Sequence, residues 1–374
     1  MAPLFIRNAS ALGPLGPHLD DIWAKVLAGE RSFGTVGLPG ERTFFTAETL
    51  AGSTGADLSA YAPLFRASIR SLIADLNITE PVDAVFLATA VGNFAEIENR
   101  IYRQRDIDVE TLDFAAAERV FVDAGVVRPG ARFICVPTGC CAGLQAIGLA
   151  KAVMPRLGLR TAVIMALDFG LTPVLFEAFA KIKALCENSP CRPFCAERDG
   201  FLFADGGGAL LVSTEPDAPD LVRISGYGCV SSAYHMTDIH TDGDSIRRSI
   251  ELALADARLE ASDIDHVDLH GSGTQQNDEA EHKALTAVIA HDVPAITAFK
   301  GHHGHALAGA NLLEVALSWK ILKAHRVPPT PAHLPMDAYE DIPPRAAITP
   351  FNGRRLLKTA SGFSGIHAAL VLES

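Results

Sequence analysis

The chain has 374 residues, of which 48% are hydrophobic, so it can bury a large core as two domains or as one duplicated domain. Its 32 Lys and Arg residues against 44 Asp and Glu residues give a net charge of −12, which excludes a general nucleic-acid or anionic-membrane binder because either would need a basic face. No apolar run approaches the roughly 18–20 residues of a membrane span, and no secretion signal is evident, so we expect a cytoplasmic protein. Seven cysteines in such a chain predict reduced thiols rather than a disulfide framework.

Helices and strands alternate along the first half of the chain. Apolar residues at helical spacing predict helices over 19–28, 64–76 and 112–124, and a continuous apolar run predicts a strand over 82–90. The turn-rich stretch 34–45 is predicted to be a loop. The charged stretch 96–105 fits either a surface helix or a subunit contact.

A cysteine follows the next predicted strand. Residues 132–136 are apolar and strand-like, and helical spacing resumes at Leu144, which places Cys140 on a tight strand-to-helix turn. Such a turn can expose a nucleophile, and the helix N-terminus behind it is expected to lower the thiol pKa and to offer backbone N–H groups to an oxyanion. The alternative is that Cys140 and Cys141 are small core residues.

The second half repeats this alternation. Strands are predicted over 161–167, 221–230 and 266–270, and helices over 174–185 and 245–259. Glycines 206–208 lack the patterns of phosphate-binding loops, which favours close backbone packing. Each half places a candidate catalytic residue just past a strand, so we predict a duplicated α/β unit divided into residues 1–215, with the cysteine, and 216–374, with the histidines.

Two clusters raise the question of a metal. Cys186, Cys191 and Cys195 have spacings unlike those of structural zinc sites, so no metal is expected there. His302, His303 and His305 lie in a glycine-rich turn, and the residues alone leave open whether they are structural, metal-binding or catalytic. His270 ends a strand beside small and hydroxyl residues, where a neutral imidazole could polarise a thioester carbonyl.

The order of six short motifs identifies a family resemblance over about residues 134 to 372. The motifs are Thr138-Gly139-Cys140, Arg192-Pro193-Phe194 with Arg198 to Phe201, Ala204 to Gly208, His270 to Thr274 with Asn277, Asp278 and Glu281, Lys300 to His305 with Glu314, and Gly362 to Gly365. The chain resembles the β-ketoacyl synthases of the thiolase superfamily, in the elongating Cys-His-His class. The resemblance implies a thiolase-like duplicated α/β/α/β/α layered fold.

The same resemblance implies residue roles. Cys140 would be the covalent nucleophile, and its N–H and that of Phe363 would form the oxyanion hole. His270 and His305 would bind a malonyl thioester and promote its decarboxylation. An ion pair of Lys300 and Glu314 would support the surroundings of the second histidine, Phe363 would gate the acyl pocket, and Ser272 and Thr274 would bind substrate.

The implied activity is the decarboxylative condensation of a Cys-bound acyl group with a malonyl thioester, in fatty-acid or polyketide-type secondary-metabolite synthesis. The implied partners are an acyl carrier protein, whose phosphopantetheine carries the substrates without a further cofactor, and a second subunit in a homodimer or heterodimer. A same-fold acyltransferase or decarboxylase without elongation and a partner subunit of a heterodimer are the alternatives.

Departures from the family pattern bear on the substrate. Ala360 and Ser361 replace part of the usual Asn-Ser-Phe, and His367 replaces a frequent Asn, which changes the lining of the pocket. Because acyl carrier proteins are acidic, local basic side chains should dock them. Five arginines before Cys140 are the candidates, although at least half are expected to be ordinary solvated residues: Arg66, Arg70, Arg100, Arg103 and Arg105.

Overall fold

The computed structural model describes residues 1–37, 43–47, 61–107, 114–188, 190, 192–216, 218–289, 295–329 and 347–374. The elements of the first half are, in chain order, β1 (Leu4–Leu12), α1 (Leu19–Leu27), β2 (Gly34–Gly37), β3 (Thr43–Thr46), α2 (Tyr61–Asp75), β4 (Val82–Ala88), α3 (Phe94–Tyr102), α4 (Ala115–Asp123), β5 (Val127–Val136), α5 (Ala142–Leu157), β6 (Thr161–Asp168), α6 (Pro173–Lys181) and β7 (Gly206–Ser213). Those of the second half are β8 (Val222–Ser231), α7 (Asp244–Ala257), β9 (His266–Asp268), α8 (Gln275–Val288), β10 (Ala295–Thr297), α9 (Lys300–His303), α10 (Leu307–Ala324), β11 (Arg326–Val327), β12 (Thr349–Pro350), β13 (Arg355–Gly362) and β14 (Ile366–Glu373), with 3-10 turns at Ala261–Asp263 and Phe363–Gly365.

Ten strands form one mixed sheet in which the two halves repeat the same strand order. From the centre outward, the first half runs β1-β7-β6-β4-β5 and the second runs β8-β14-β13-β9-β10. Corresponding neighbours also share their parallel or antiparallel direction, and β1 pairs with β8 in antiparallel fashion at the centre. The structure therefore contains the predicted duplicated α/β unit, while the division at residues 215 and 216 stays a prediction.

Alternating side chains of the strands fill separate cores on the two faces of the sheet. On β4, Phe86 packs in the core around α5 and α10, whereas Val85 packs with α2 and α4. On β14, Leu370 packs towards α5 and α10, whereas Val371 packs with α7 and α8. The central helices α5 and α10 therefore lie on one face of both halves of the sheet, whereas α2, α4, α7 and α8 lie on the other.

The two central helices approach each other closely at their N-terminal ends. A Cβ at Gly143, in the first turn of α5, would lie 2.6 Å from the Cβ of Asn311 and 3.0 Å from the carbonyl oxygen of Ala308, both in α10. Any side chain at this position would collide with α10, so glycine is required here. The contact brings the segments that precede both helices to one place in the molecule.

One prediction about the elements needs correction, and two others are confirmed over the residues that the structure describes. The stretch 34–45 is not simply a loop, because β2 and β3 pair there in antiparallel fashion around residues 38–42, which lie outside the described residues. The stretch 96–105 is mostly helical within α3, and the helix predicted over 112–124 is α4, with Leu112 outside the described residues.

Within the described part of the chain, no helix is both long and apolar enough to span a bilayer.

Candidate active site

Cys140 lies on the turn between β5 and α5, as the sequence predicts. Gly139 has a φ of +86°, a left-handed conformation that favours glycine, and Cys141 occupies the N-cap position of α5. Cys140 is half-buried, whereas Cys141 is buried and its Sγ donates to the carbonyl oxygen of Ile366 at 3.2 Å. The turn therefore exposes only the first of the two cysteines.

One small cavity collects six of the residues that the resemblance singles out. Its free volume is about 30 Å³, which is room for one or two water molecules. Its lining includes Cys140, His270, Ser272, Thr274, His305 and Phe363. The remaining lining is largely aromatic and apolar, and it comprises Phe179, Phe201 and Ile239 together with Asn277, Ser361 and Gly362.

The two histidines face each other across the site. The ring centroids of His270 and His305 are 5.3 Å apart, with an angle of 83° between the ring planes. Burial lowers the pKa of both imidazoles well below the ordinary value of 6.5, and the charge of Lys300 acts in the same direction. Both rings are therefore neutral at pH 7, and a neutral imidazole carries one N–H that can donate to a carbonyl oxygen.

A carboxylate fixes the backbone that carries His270. Glu281 accepts from the N–H of His270 at 2.8 Å and from the N–H of Gly271 at 2.9 Å. His305 is held differently, since its N–H donates to the carbonyl oxygen of Leu202 at 2.6 Å and its ring stands 5.2 Å from that of Phe201. The sequence motif contained Glu281, but only the structure shows which group it holds.

Lys300 and Glu314 form the expected ion pair, completely buried, with 2.7 Å between Nζ and Oε1. Lys300 Nζ also donates to the carbonyl oxygen of His270 at 2.7 Å and lies 3.4 Å from its Nδ1. These contacts support the first histidine, whereas the resemblance placed the pair near the second. Because an ammonium group can only donate, Nδ1 is the acceptor and the ring proton of His270 sits on Nε2.

Two buried charges that the sequence analysis missed complete this network. Lys358 Nζ lies 2.7 Å from Glu314 Oε2 and 3.6 Å from Asp268 Oδ2, and all three side chains are fully buried. Although burial favours the neutral acid, Lys300 and Lys358 hold the pKa of Glu314 at about 2. One feature of the sequence could have indicated this network: Lys358 lies within the apolar strand β13, and a charge buried with such a strand needs a buried partner of opposite charge.

The electrostatics of Cys140 differ from the prediction. Burial raises the pKa of its thiol to about 12, and the carboxylate of Asp168 acts in the same direction. Lys300 and the backbone N–H groups of Phe363 and of Cys140 itself pull that pKa down, but by less. The predicted lowering of the thiol pKa is therefore wrong, because burial raises that pKa by more than Lys300 and the N–H groups lower it.

The backbone N–H groups of Phe363 and Cys140 lie close enough to the Cys140 sulfur to lower the pKa of its thiol. They are the two donors that the resemblance assigns to the oxyanion hole. The end of β13 packs directly against this turn, since a Cβ built at Gly362 would lie in ordinary van der Waals contact, 3.4 Å from the Cys141 nitrogen and 3.5 Å from the Cys140 Cβ.

The other candidate residues lie outside this cavity. His302 and His303 are buried behind it, and the ring nitrogens of His302 contact the carbonyl oxygens of Glu30 and Pro329 at 2.8 and 3.3 Å. Cys186 and Cys195 lie in separate apolar clusters, and Cys191 lies outside the described residues. No group of three metal-ligating side chains occurs among the residues that the structure describes.

None of the five candidate docking arginines lines the Cys140 cavity. Arg66 and Arg100 instead line a second cavity of about 200 Å³, with Phe65 and Phe169 among its apolar walls. Arg70, Arg103 and Arg105 are exposed. Docking by any of these arginines stays a prediction.

Two family models match consecutive parts of the chain. The family model described as "Beta-ketoacyl synthase, N-terminal domain" matches residues 127–218, and the one described as "Beta-ketoacyl synthase, C-terminal domain" matches residues 221–333, which together span more than half of the chain. This chain belongs to the β-ketoacyl synthase family.

Curated relatives support this assignment. The ketoacyl synthase alpha subunit of the tetracenomycin polyketide synthase of Streptomyces glaucescens is 30% identical over 257 residues, 63% of this chain and 59% of the relative. The 3-oxoacyl-acyl-carrier-protein synthase 2 of Mycobacterium tuberculosis is 29% identical over 259 residues, 66% of this chain and 60% of the relative. The chain thus spans about three fifths of the length of the curated relatives that it matches.

A solved structure covers the whole chain. It is described as a type II PKS acyl-carrier protein in complex with its ketosynthase bound to the hexaketide, and it superimposes with a TM-score of 0.85 at 25% identity over 100% of this chain and 99% of its own. The predicted thiolase-like α/β fold of the β-ketoacyl synthases is confirmed.

Proposed function

We propose that this chain is a β-ketoacyl-acyl carrier protein synthase, an acyltransferase that condenses a Cys-bound acyl group with a malonyl thioester in fatty-acid or polyketide-type synthesis. The observation that carries this proposal is the convergence of Cys140, His270 and His305 on one cavity, with the N–H of Phe363 beside the sulfur. Both family domains and the named relatives support it.

The first step is acyl transfer to Cys140. The sulfur attacks the carbonyl carbon of the incoming thioester, a new S–C bond forms, and the carrier thiol leaves with the proton of the Cys140 thiol. Negative charge develops on the carbonyl oxygen, where the N–H groups of Cys140 and Phe363 can stabilise it. Because burial keeps the resting thiol protonated, it loses its proton only as the carbonyl is attacked.

The second step uses the neutral imidazoles. The Nε2–H of His270 and an N–H of His305 donate to the carbonyl oxygen of the malonyl thioester. The bond to its carboxylate breaks, carbon dioxide leaves, and the electron pair remains as an enolate that these donors stabilise. A protonated imidazole pair would cost more in this buried cavity, which agrees with the lowered pKa of both rings.

The third step forms the new carbon–carbon bond. The enolate carbon attacks the acyl carbon on Cys140, and the N–H groups of Cys140 and Phe363 stabilise the oxyanion. The S–C bond then breaks to release the extended β-ketoacyl chain on its carrier, and the Cys140 thiolate takes up a proton from solvent to restore the resting thiol. Lys300 acts only through position, since its contacts run to the backbone and ring of His270 and to Glu314. No cofactor beyond the phosphopantetheine of the carrier is needed.

The proposed partners are an acyl carrier protein and a second ketosynthase-type subunit, in a homodimer or a heterodimer. The carrier protein is supported by the similar ketosynthase that is described in complex with its acyl carrier protein.

The cavity beside Cys140 is small, which implies that its wall must open or be extended before a long acyl chain binds. The cytoplasmic location also stays a prediction.

Peptide-mapping mass spectrometry after incubation with a panel of acyl-carrier thioesters, combined with product analysis, tests the proposal. We expect a single acyl adduct on Cys140, none on Cys141, and carbon dioxide release with a carbon–carbon bonded product once a malonyl thioester is added. His270→Ala and His305→Ala should each abolish most condensation but leave part of the acylation, while His302→Ala, a buried residue outside the cavity, serves as the matched control.

Acyl transfer without carbon–carbon bond formation would instead support the alternative of a same-fold acyltransferase. Full condensation activity in His270→Ala or His305→Ala would overturn the proposed roles. An adduct on Cys141 would overturn the assignment of the nucleophile.

A further inference from the structure

A serine and a histidine form a buried pair in the wall of the Cys140 cavity. Ser361, on β13, and His367, on β14, are directly opposite each other in the antiparallel register. His367 Nδ1 lies 3.1 Å from Ser361 Oγ, and each residue is only 1% exposed. Such a pair is oriented by the two strands as well as by its own hydrogen bond.

Ser361 is the member of the pair that borders the cavity. It immediately precedes Gly362, which packs against Cys140, and it lies two residues before Phe363, whose N–H approaches the Cys140 sulfur. An acyl group held on Cys140 therefore shares its cavity with Ser361. The neighbouring walls from Phe179, Phe201 and Ile239 offer only apolar surface.

The pair leaves hydrogen-bonding capacity for a ligand. A serine hydroxyl can donate once and accept twice, and His367 occupies one of these positions. Burial lowers the pKa of His367 to about 4, so its ring is neutral at pH 7 and can either donate to or accept from the serine. A saturated chain beside this hydroxyl would leave the remaining positions unused and shielded from water, whereas an oxygen on the chain would fill one.

The separation between Ser361 and Phe363 indicates which carbon would carry that oxygen. Gly362 between them is extended, with φ −140° and ψ 154°, and residues two apart in an extended backbone are separated by roughly 6–7 Å. The thioester oxygen is proposed to bind the N–H of Phe363, so an oxygen two carbons further along the chain would come within reach of the Ser361 hydroxyl. This is the β-position of the acyl group.

We propose that Ser361, oriented by His367, selects acyl groups that carry an oxygen on the β-carbon, as β-hydroxyacyl or β-ketoacyl chains do, over saturated chains of the same length. This inference rests on the proposed function, because it requires the acyl group to be held on Cys140. It assigns the site to partly reduced or unreduced chains rather than to fully reduced ones.

Competition between two probes tests the inference. The full chain is incubated with equal amounts of 3-hydroxybutyryl-pantetheine and butyryl-pantetheine, and the two adducts on Cys140 are counted by mass spectrometry. We expect the wild-type protein to favour the hydroxylated group by about 10-fold, a moderate value for a site that hydrogen-bonds a substrate hydroxyl. Ser361→Ala should bring the ratio close to one, and His367→Asn should lower it by a smaller factor.

Ser225→Ala is the matched control. Ser225 is also a buried serine on a strand of the same sheet, with Oγ 3.4 Å from the carbonyl oxygen of Val371, but it does not line the cavity, so the ratio should stay at the wild-type value. A wild-type ratio near one, or a wild-type ratio that persists in Ser361→Ala, overturns the inference and leaves the proposed function intact. Absence of any Cys140 adduct from both probes overturns the proposed function and the inference together.

Discussion

Replacement of Lys358 by Met tests whether the buried charge network holds the site together. Lys358 lies between Glu314 at 2.7 Å and Asp268 at 3.6 Å, and the three side chains are fully buried. Methionine keeps most of the side-chain volume but removes the charge, so it leaves two carboxylates to share Lys300. Removing one partner of a buried ion pair costs about 3–5 kcal/mol because the remaining charge is uncompensated.

That cost should appear as a lower melting temperature. With an unfolding entropy of about 2.1 cal/mol/K per residue, a loss of 3–5 kcal/mol corresponds to a decrease in Tm of about 4–6 °C for a chain of this length, if it unfolds cooperatively. Differential scanning calorimetry at pH 7.5 measures it. Protonation of Asp268 should recover part of this loss of stability. Burial already raises the pKa of Asp268 to about 7, although the charge of Lys358 acts to lower it.

Two further variants make the result decisive. Adding Asp268→Asn to Lys358→Met removes the surplus negative charge and should restore at least half of the lost stability. Lys283→Met is the matched control, because its pair with Glu279 is about half exposed, and its loss should stay below about 1 kcal/mol. The reasoning is refuted if Lys358→Met melts within 1 °C of the wild-type protein, or if the double variant is no more stable than the single one.

Two other predictions concern a buried acid and the docking surface. Burial raises the pKa of Asp205 from 3.8 to about 7. Its protonated form therefore stabilises the fold below pH 4, and this contribution is lost as the pH rises through 7. We expect Asp205→Asn, measured by denaturant unfolding, to be more stable than the wild-type protein by a few kcal/mol at pH 8 and about equally stable at pH 4. Equal stability differences at both pH values would contradict this. Charge reversal at the exposed Arg70, Arg103 or Arg105 should, at a true docking position, lower kcat/KM for carrier-bound substrate and leave a pantetheine thioester nearly unaffected. If none of the single reversals, including those at Arg66 and Arg100, changes the kinetics or their salt dependence, docking occurs elsewhere.

Local patterns were sufficient to predict the strand-turn-helix around Cys140. The apolar strand, the small residues of the turn and the helical spacing that follows all act within about twenty residues, so the sequence carries them directly. The same holds for the alternation of strands and helices that predicted the duplicated fold. In contrast, β2 and β3 were missed, because their pairing was hidden in a stretch rich in turn-forming residues.

Contacts between distant segments could not be predicted in this way. Lys358 and Asp268 meet because β13 pairs with β9 in a register that aligns these two residues directly. The pKa of Cys140 depends on its burial and on Asp168, neither of which is visible in the local pattern of the turn. Family motifs supplied His270 and His305, but they did not show that Lys300 supports the first of the two.

The duplication also explains how a buried site can stabilise several anions in turn. Cys140 precedes α5, and His305 precedes α10, the helix that occupies the corresponding place in the second half. The N-terminal ends of these two helices touch at Gly143, so the positive ends of two helix dipoles meet beside the cavity. Lys300 and Lys358, by comparison, are paired with Glu314 and Asp268. Fixed dipoles and N–H groups can therefore stabilise the proposed oxyanion and enolate as each forms, while the resting thiol and both imidazoles stay uncharged.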